Sequence, residues 1–278
     1  MSIPDLHNVI RSDVTHALEE DIGDGDITAA LIPDSQQSTA TVISRENAVV
    51  CGIKWFDEVF NQLDPNIVVE WQVKDGEKVI TDQVLCTLQG SSRAILSGER
   101  AALNFLQTLS ATASVANHYA NIVAGTNTRV LDTRKTIPNL RRAQKYAVAC
   151  GGCHNHRIGL YDAYLIKENH IAAAGSITNA INTARSLNAN TNIEVEVETL
   201  AEVKEALTAK ADILLLDNFS LDMLREAVVI NNGQATLEAS GNVTTDTIHA
   251  IAETGVDAIS TGELTKHVHA IDLSMRFK

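Results

Sequence analysis

The chain has 278 residues, 45% of them hydrophobic and 21% charged, with only four prolines, which is enough for a large core in one or two domains. Its 35 acidic residues outnumber its 22 Lys and Arg, for a net charge of -13, which excludes nucleic acid and anionic membrane surfaces as main partners. No apolar run approaches the roughly 20 residues of a membrane span. The first residues lack the basic-then-apolar order of a signal peptide, and four Cys do not make a disulfide framework in a chain this long, so the expected location is cytoplasmic, with reduced thiols.

Leu6, Val9, Ile10, Val14 and Leu18 recur at helical spacing and predict an amphipathic helix over 5–20. The following DIGDGDIT has the acids and glycines of a calcium loop. Gly23 occupies a required ligand position, however, and no Glu closes the loop, so the segment reads as a Gly-rich turn. Residues 38–96 hold short β-branched runs broken by turn signals, with a helix over 54–63 between them. Lys74-Asp75-Gly76-Glu77 predicts a hairpin. Residues 97–123 form a long Ala- and Leu-rich helix. Its small residues Ser110, Ala111, Ala113 and Ser114 mark a bend or a close approach.

From 128 onward one unit repeats: an apolar run ending in a polar residue, then a helical pattern. The runs are 128–133, 162–167, 192–198, 211–218, 235–240 and 256–261. Ser176, and Thr199 with Glu202, supply helix caps between them. Alternating strands and helices predict a parallel sheet, here an incomplete α/β barrel of about six strands, with a doubly wound sheet as the alternative. The expected division is an N-terminal α/β sandwich domain over 1–108 and the barrel over 109–269. The alternating tail 270–278 returns to the first domain as an edge strand.

In parallel α/β folds, functional groups lie just past the carboxyl ends of the strands. Those ends present Arg134-Lys135, Lys167, Glu196 and Glu198, Asp217-Asn218, Ser240-Gly241-Asn242 and Thr261-Gly262. The cations suit carboxylate or phosphate. The acids suit Mg2+ or sugar hydroxyls. The small loops suit an anion held by backbone N–H groups. Glu194, Glu196 and Glu198 alternate and so share one face, inward in a barrel. Residues 132–170 concentrate seven Lys or Arg and three His in an acidic chain. Within them, Cys150-Gly-Gly-Cys153-His154 has the spacing of a haem, redox or half-zinc motif. It reads better as a flexible loop carrying His156 and Arg157 to an anion. Arg141, Arg142 and Lys145 fall on a helix after Pro138, where solvated positions are the default for at least some of them.

DTRKTIPNLRRAQKYAV, GGCHNHRIGLYDAYLIKENHI, EVEVE, LLLDN, SGNVT and AISTGELTKH, with GDIT and GERAALNFLQTLS nearer the start, resemble the quinolinate phosphoribosyltransferase family, in order and over nearly the whole chain. The resemblance implies conversion of quinolinate and phosphoribosyl pyrophosphate to nicotinate mononucleotide, pyrophosphate and CO2, a step of NAD biosynthesis, with Mg2+. It implies a positive pocket of Thr133, Arg134, Lys135, His156, Arg157 and Lys167. Arg100 would come from the neighbouring subunit of a homodimer, itself able to assemble further. Glu196 and Asp217 would meet the ribose and the Mg2+-pyrophosphate. Ser240, Gly241, Asn242, Thr261, Gly262 and Glu263 would hold the 5′-phosphate, with Lys135, Lys167, Glu196 and Asp217 as the catalytic groups. Two positions depart from the family pattern: Cys153 stands for the third glycine of the loop, and Ala111 for the glycine of Leu-Ser-Gly.

Overall fold

The computed structural model describes residues 6–188 and 190–277. In chain order the elements are α1 (Leu6–Ile22), β1 (Gln37–Ser44), β2 (Ala48–Val49), α2 (Ile53–Leu63), β3 (Val68–Trp71), β4 (Lys78–Val79), β5 (Val84–Ser91), α3 (Ser92–Ile122) and β6 (Arg129–Leu131). Then come α4 (Arg141–Cys150), β7 (Tyr164–Ile166), α5 (Glu168–Ala174), α6 (Ile177–Leu187), β8 (Ile193–Val197), α7 (Leu200–Thr208), β9 (Ile213–Asp217) and α8 (Leu221–Asn231). The last are β10 (Thr236–Ser240), α9 (Ile248–Ala252), β11 (Ala258–Ser260), α10 (Glu263–Lys266) and β12 (Leu273–Phe277). They form two compact units, Met1–Asn117 with Thr136–Gly152 and Thr265–Lys278, and His118–Lys135 with Cys153–Leu264.

The first unit has an antiparallel sheet in the order β12-β1-β5-β3. The β12 strand pairs with β1, Met275 opposite Val42 and Ser274 opposite Ile43. Its core is aromatic and aliphatic. Trp55, Phe56, Val59 and Phe60 form the buried face of α2, and Leu103, Leu106 and Leu109 lie buried on α3. Of the bend or close approach that the small residues of α3 predict, the structure shows the close approach. Ser110 Oγ accepts the Cys51 N–H at 2.9 Å, and Ser114 Oγ accepts that of Val49 at 2.8 Å.

Two expectations for this unit change. The turn at 74–77 forms, but β3 pairs with β5 and β4 with β2, so no hairpin joins β3 to β4. The turn signal is local, whereas partners are set by burial elsewhere. The Asp75 carboxylate accepts the Gly52 and Ile53 N–H groups at the start of α2. Lys145 is fully buried on α4 rather than solvated. In DIGDGDIT, Asp26 accepts the Thr28 and Ala29 N–H groups and the Ser97 hydroxyl, the work of a turn.

The second unit is a six-stranded parallel sheet in the order β6-β11-β10-β9-β8-β7. From β7 to β11 each strand adds on the same side, so the sheet winds one way, unlike a doubly wound sheet whose order reverses. Among the described residues no ladder joins β6 to β7, and the barrel is incomplete. The caps read from sequence are formed: Ser176 Oγ accepts the Asn179 N–H, and Thr199 and Glu202 make a reciprocal capping box.

Candidate active site

The second unit gathers its charged groups at the carboxyl ends of its strands. Past β6, Thr133 Oγ1 accepts the Lys135 N–H at 3.0 Å, a local turn that leaves Arg134 and Lys135 exposed. Past β7, Lys167 caps α5 with its backbone and forms an ion pair with Glu196 of β8. Glutamates 194, 196 and 198 share a face, as their spacing predicts, but grade from buried through half-buried to exposed. Past β9, Asp217 accepts the Asn218 side-chain amide at 2.7 Å.

The end of β10 is fitted against that of β9. Asn218 donates its N–H to the Ser240 carbonyl at 2.9 Å. A Cβ on Gly241 (φ +95°) would stand 2.1 Å from Asn218 Oδ1, so only glycine fits. Asn242 donates to the same oxygen at 3.4 Å. Past β11, Thr261 Oγ1 donates to the Val243 carbonyl and accepts the Glu263 N–H, which orders the small loop carrying Gly262.

Beneath these ends lies a layer that strand-end reasoning missed. His156 Nδ1 accepts the Arg157 N–H at 2.8 Å, so the ring carries its proton on Nε2. Nε2 lies 3.0 Å from Glu194 and 3.5 Å from Glu238, both only 2% exposed. The His156 N–H and the Asn155 amide both donate to Asp132, which is wholly buried. Burial, then the nearby Glu194 charge, pushes Glu238 up to about 7, with His156 opposing. Glu238 was legible as an inward position, two residues before Ser240 on β10. Asp132 was legible as the acid after an apolar run.

Arg157 donates to the Ala163 carbonyl at 3.2 Å. Burial, then Arg134 alongside, pulls it below the usual guanidinium value, while Glu194 and Asp162 oppose. Two guanidiniums therefore share a partly desolvated place, and an anionic guest relieves that repulsion.

Several residues stand apart. Arg100 lies exposed on α3, in the first unit; Arg141 and Arg142, half-buried, and Lys145, buried, are on α4 of the same unit. Cys150 and Cys153 fall in different units. Cys153 is buried and its thiol is pushed up to about 12 by that burial. A hollow of about 810 Å3 sits at the amino ends of β9 and β10. Its acids Asp212 and Asp257 accept strand N–H groups, at Ile193 and Leu237, so that end serves the sheet rather than a ligand.

Two donor clusters have metal-ligand proximity: His156 with Glu194 and Glu238, and Cys51 with Asp75 and Cys150, each set within 4.8 Å. In the first, His156 already hydrogen-bonds Glu194 directly.

Parallel strands with cations past the two edge strands, β6 and β7, and tight Gly loops and carboxylates past the strands between them define an α/β enzyme for a multiply anionic substrate. Known proteins narrow this. The C-terminal domain of quinolinate phosphoribosyl transferase matches residues 112–276, and its N-terminal domain residues 26–110. A probable nicotinate-nucleotide pyrophosphorylase [carboxylating] of Bacillus subtilis is 38% identical, over 97% of this chain and 93% of that protein. A quinolinate phosphoribosyltransferase [decarboxylating] of Nicotiana tabacum is 40% identical, over 98% and 82%. The structure of the nicotinate-nucleotide pyrophosphorylase from Francisella tularensis superposes with a TM-score of 0.95 at 50% identity, covering 98% of this chain and 96% of that one. The chain belongs to the quinolinate phosphoribosyltransferase family.

Proposed function

We propose that the chain transfers the phosphoribosyl group of phosphoribosyl pyrophosphate to the ring nitrogen of quinolinate, releasing pyrophosphate, then CO2, and leaving nicotinate mononucleotide. The observation that carries this reading is the set of strand-end groups, Arg134 and Lys135 past β6 and the Lys167–Glu196 ion pair past β7, in a chain of the quinolinate phosphoribosyltransferase family. A dicarboxylate is a guest that two guanidiniums match.

Arg134 and Arg157 hold the two carboxylates and aim the ring nitrogen at the anomeric carbon, with His156 positioning Arg157 through its backbone N–H and with Lys135 and Thr133 beside them. Lys167 neutralises the departing pyrophosphate, and its contact with Glu196 keeps that carboxylate in place. As the C–O bond to pyrophosphate breaks, the ribose gains positive charge, which Glu196 and Asp217 stabilise. The ring nitrogen attacks and becomes quaternary. It then draws the electron pair of the adjacent carbon–carboxylate bond, CO2 leaves, and that carbon takes up a proton. In the loops Ser240-Gly241-Asn242 and Thr261-Gly262-Glu263, the backbone N–H groups of Gly241, Asn242 and Gly262 hold the 5′-phosphate. The rate gain comes from positioning and electrostatics, without a covalent nucleophile.

Glu196 and Asp217 offer oxygen donors only, which suits Mg2+ arriving with the pyrophosphate. When bound, that ion supplies further charge neutralisation on the leaving group. The exposure of Arg100 on α3 fits its donation to the site of a second copy in a homodimer. We place the enzyme in the cytoplasm, where its four thiols stay reduced.

The test mixes protein, quinolinate, phosphoribosyl pyrophosphate and Mg2+. Stoichiometric nicotinate mononucleotide and CO2 are expected. Pyrophosphate release without CO2, or no turnover at all, overturns the assignment.

A further inference from the structure

The sequence motif Cys150-Gly-Gly-Cys153 suggests one thiol pair, and the fold makes another. Cys51, one residue before the cap of α2, and Cys150, the last residue of α4, bring their thiols side by side. Their sulfurs and an Asp75 carboxylate oxygen lie within 4.8 Å of one another. Both residues belong to the first compact unit, and neither is in the phosphoribosyl transfer machinery.

The surroundings treat the two sulfurs differently. Cys51 is wholly buried and its backbone is tied to Ser110 through both N–H and carbonyl. Cys150 is half-buried and open to a small oxidant. Its thiol is held below the usual value, first by the adjacent Cys51 thiol, then by Tyr146 and the charge of Lys54, against burial and Asp75. Burial holds Cys51 well above it. Tyr146 itself is fixed by donating to Asp75 at 2.7 Å, and the Lys54 ammonium stands 5.9 Å from its ring. One sulfur is thus the nucleophile and the other the resolving thiol.

We propose that Cys51 and Cys150 form a reversible disulfide when the protein meets hydrogen peroxide. The Cys150 thiolate attacks a peroxide oxygen and breaks the O–O bond. Cys150 becomes a sulfenic acid, and the hydroxide released takes up the proton that the thiol gave up, leaving as water. The Cys51 sulfur then displaces the sulfenic hydroxyl, its own proton leaving in a second water. Two thiols and one peroxide become one disulfide and two waters. The bond closes a chain loop of about one hundred residues, which restricts the unfolded chain and raises the melting midpoint. It also anchors the end of α4, from which the chain runs through Gly151-Gly152 towards His156 and Arg157.

The experiment treats the full-length protein with one equivalent of hydrogen peroxide, alkylates, and digests without reductant. A peptide pair linking Cys51 to Cys150 is expected, with a melting midpoint several degrees above the reduced protein, both reversed by dithiothreitol. Cys150→Ser and, independently, Cys51→Ala should lose the link and the shift, whereas Cys153→Ser should keep both. A Cys150–Cys153 link, or Cys150 oxidised to sulfinic acid with no crosslink, overturns the proposal. So does one tightly bound zinc per chain that protects both thiols from alkylation, since the cluster is then a metal site.

Discussion

His156 Nε2 stands 3.0 Å from a carboxylate oxygen of Glu194, a residue 2% exposed, and 3.5 Å from Glu238, equally buried. Two carboxyl groups in one dry place are costly unless one keeps its proton. Glu238 is the group that does so, raised from 4.5 to about 7. Because its folded value lies above its unfolded one, the fold binds the extra proton, and stability from this group falls as pH rises from about 4.5 to about 7. Glu238→Gln removes the titration. Its melting midpoint relative to wild type should rise steadily across that window, by up to about 3 kcal/mol in free energy. A difference that stays constant from pH 5 to pH 8 contradicts this account of the cluster.

Arg134→Ala should lower kcat/KM by roughly 100-fold or more, the loss of about 3 kcal/mol in charge-assisted hydrogen bonds. Arg157→Ala should do the same and raise the KM for quinolinate. Both variants should keep the wild-type far-ultraviolet circular dichroism, because neither side chain belongs to the core. Near-normal turnover in both would remove the dicarboxylate from this pocket.

Gly241→Ala places a methyl group against Asn218 and forces alanine into a left-handed backbone. The strain is about 1–3 kcal/mol. Either the loop moves or Asn218 gives up its contact with Asp217. The KM for phosphoribosyl pyrophosphate should rise roughly tenfold while that for quinolinate changes little. Equal effects on both substrates would mean that this loop does not hold the phosphate end.

Lys167→Met deprives Glu196, whose side chain is 11% exposed, of its cation. Since Lys167 itself is 41% exposed, solvent limits the stability loss to about 1–2 kcal/mol. Glu196→Gln in the same chain should recover much of that stability but none of the activity. A double-mutant cycle by thermal melting and by kcat separates the two effects. Strict additivity in both would show the pair to be uncoupled.

Much of this was legible in the residues. Apolar runs ending in a polar residue marked all six barrel strands, because a parallel strand covered on both faces is mainly apolar until it reaches solvent. The Thr199–Glu202 cap was legible because capping is decided within four residues. What escaped depended on distant partners. The turn at Asp75 is local, but which strands pair around it is not. Lys145 lies on a charged-looking helix and is buried by packing that no helical period reveals. Glu238 sits in mid-strand, where a rule about strand ends does not look. The Cys150–Cys153 spacing read as a flexible loop, and nothing in it announced that the fold brings Cys51 beside Cys150 from about a hundred residues away.

The antiparallel ladder between β1 and β12 sets a timetable for the chain. Residues 40–44 leave the ribosome early and wait for residues 273–277 before that ladder can form. Through the synthesis of all six barrel strands, β1 has one unclaimed flank, an open template for any extended segment nearby. In the barrel β7 to β11 pair in the order they are made, and β6 waits for β11, which is complete well before residue 273. Nascent chains stalled before residue 273 should therefore show a protease-resistant barrel and a protease-sensitive first unit.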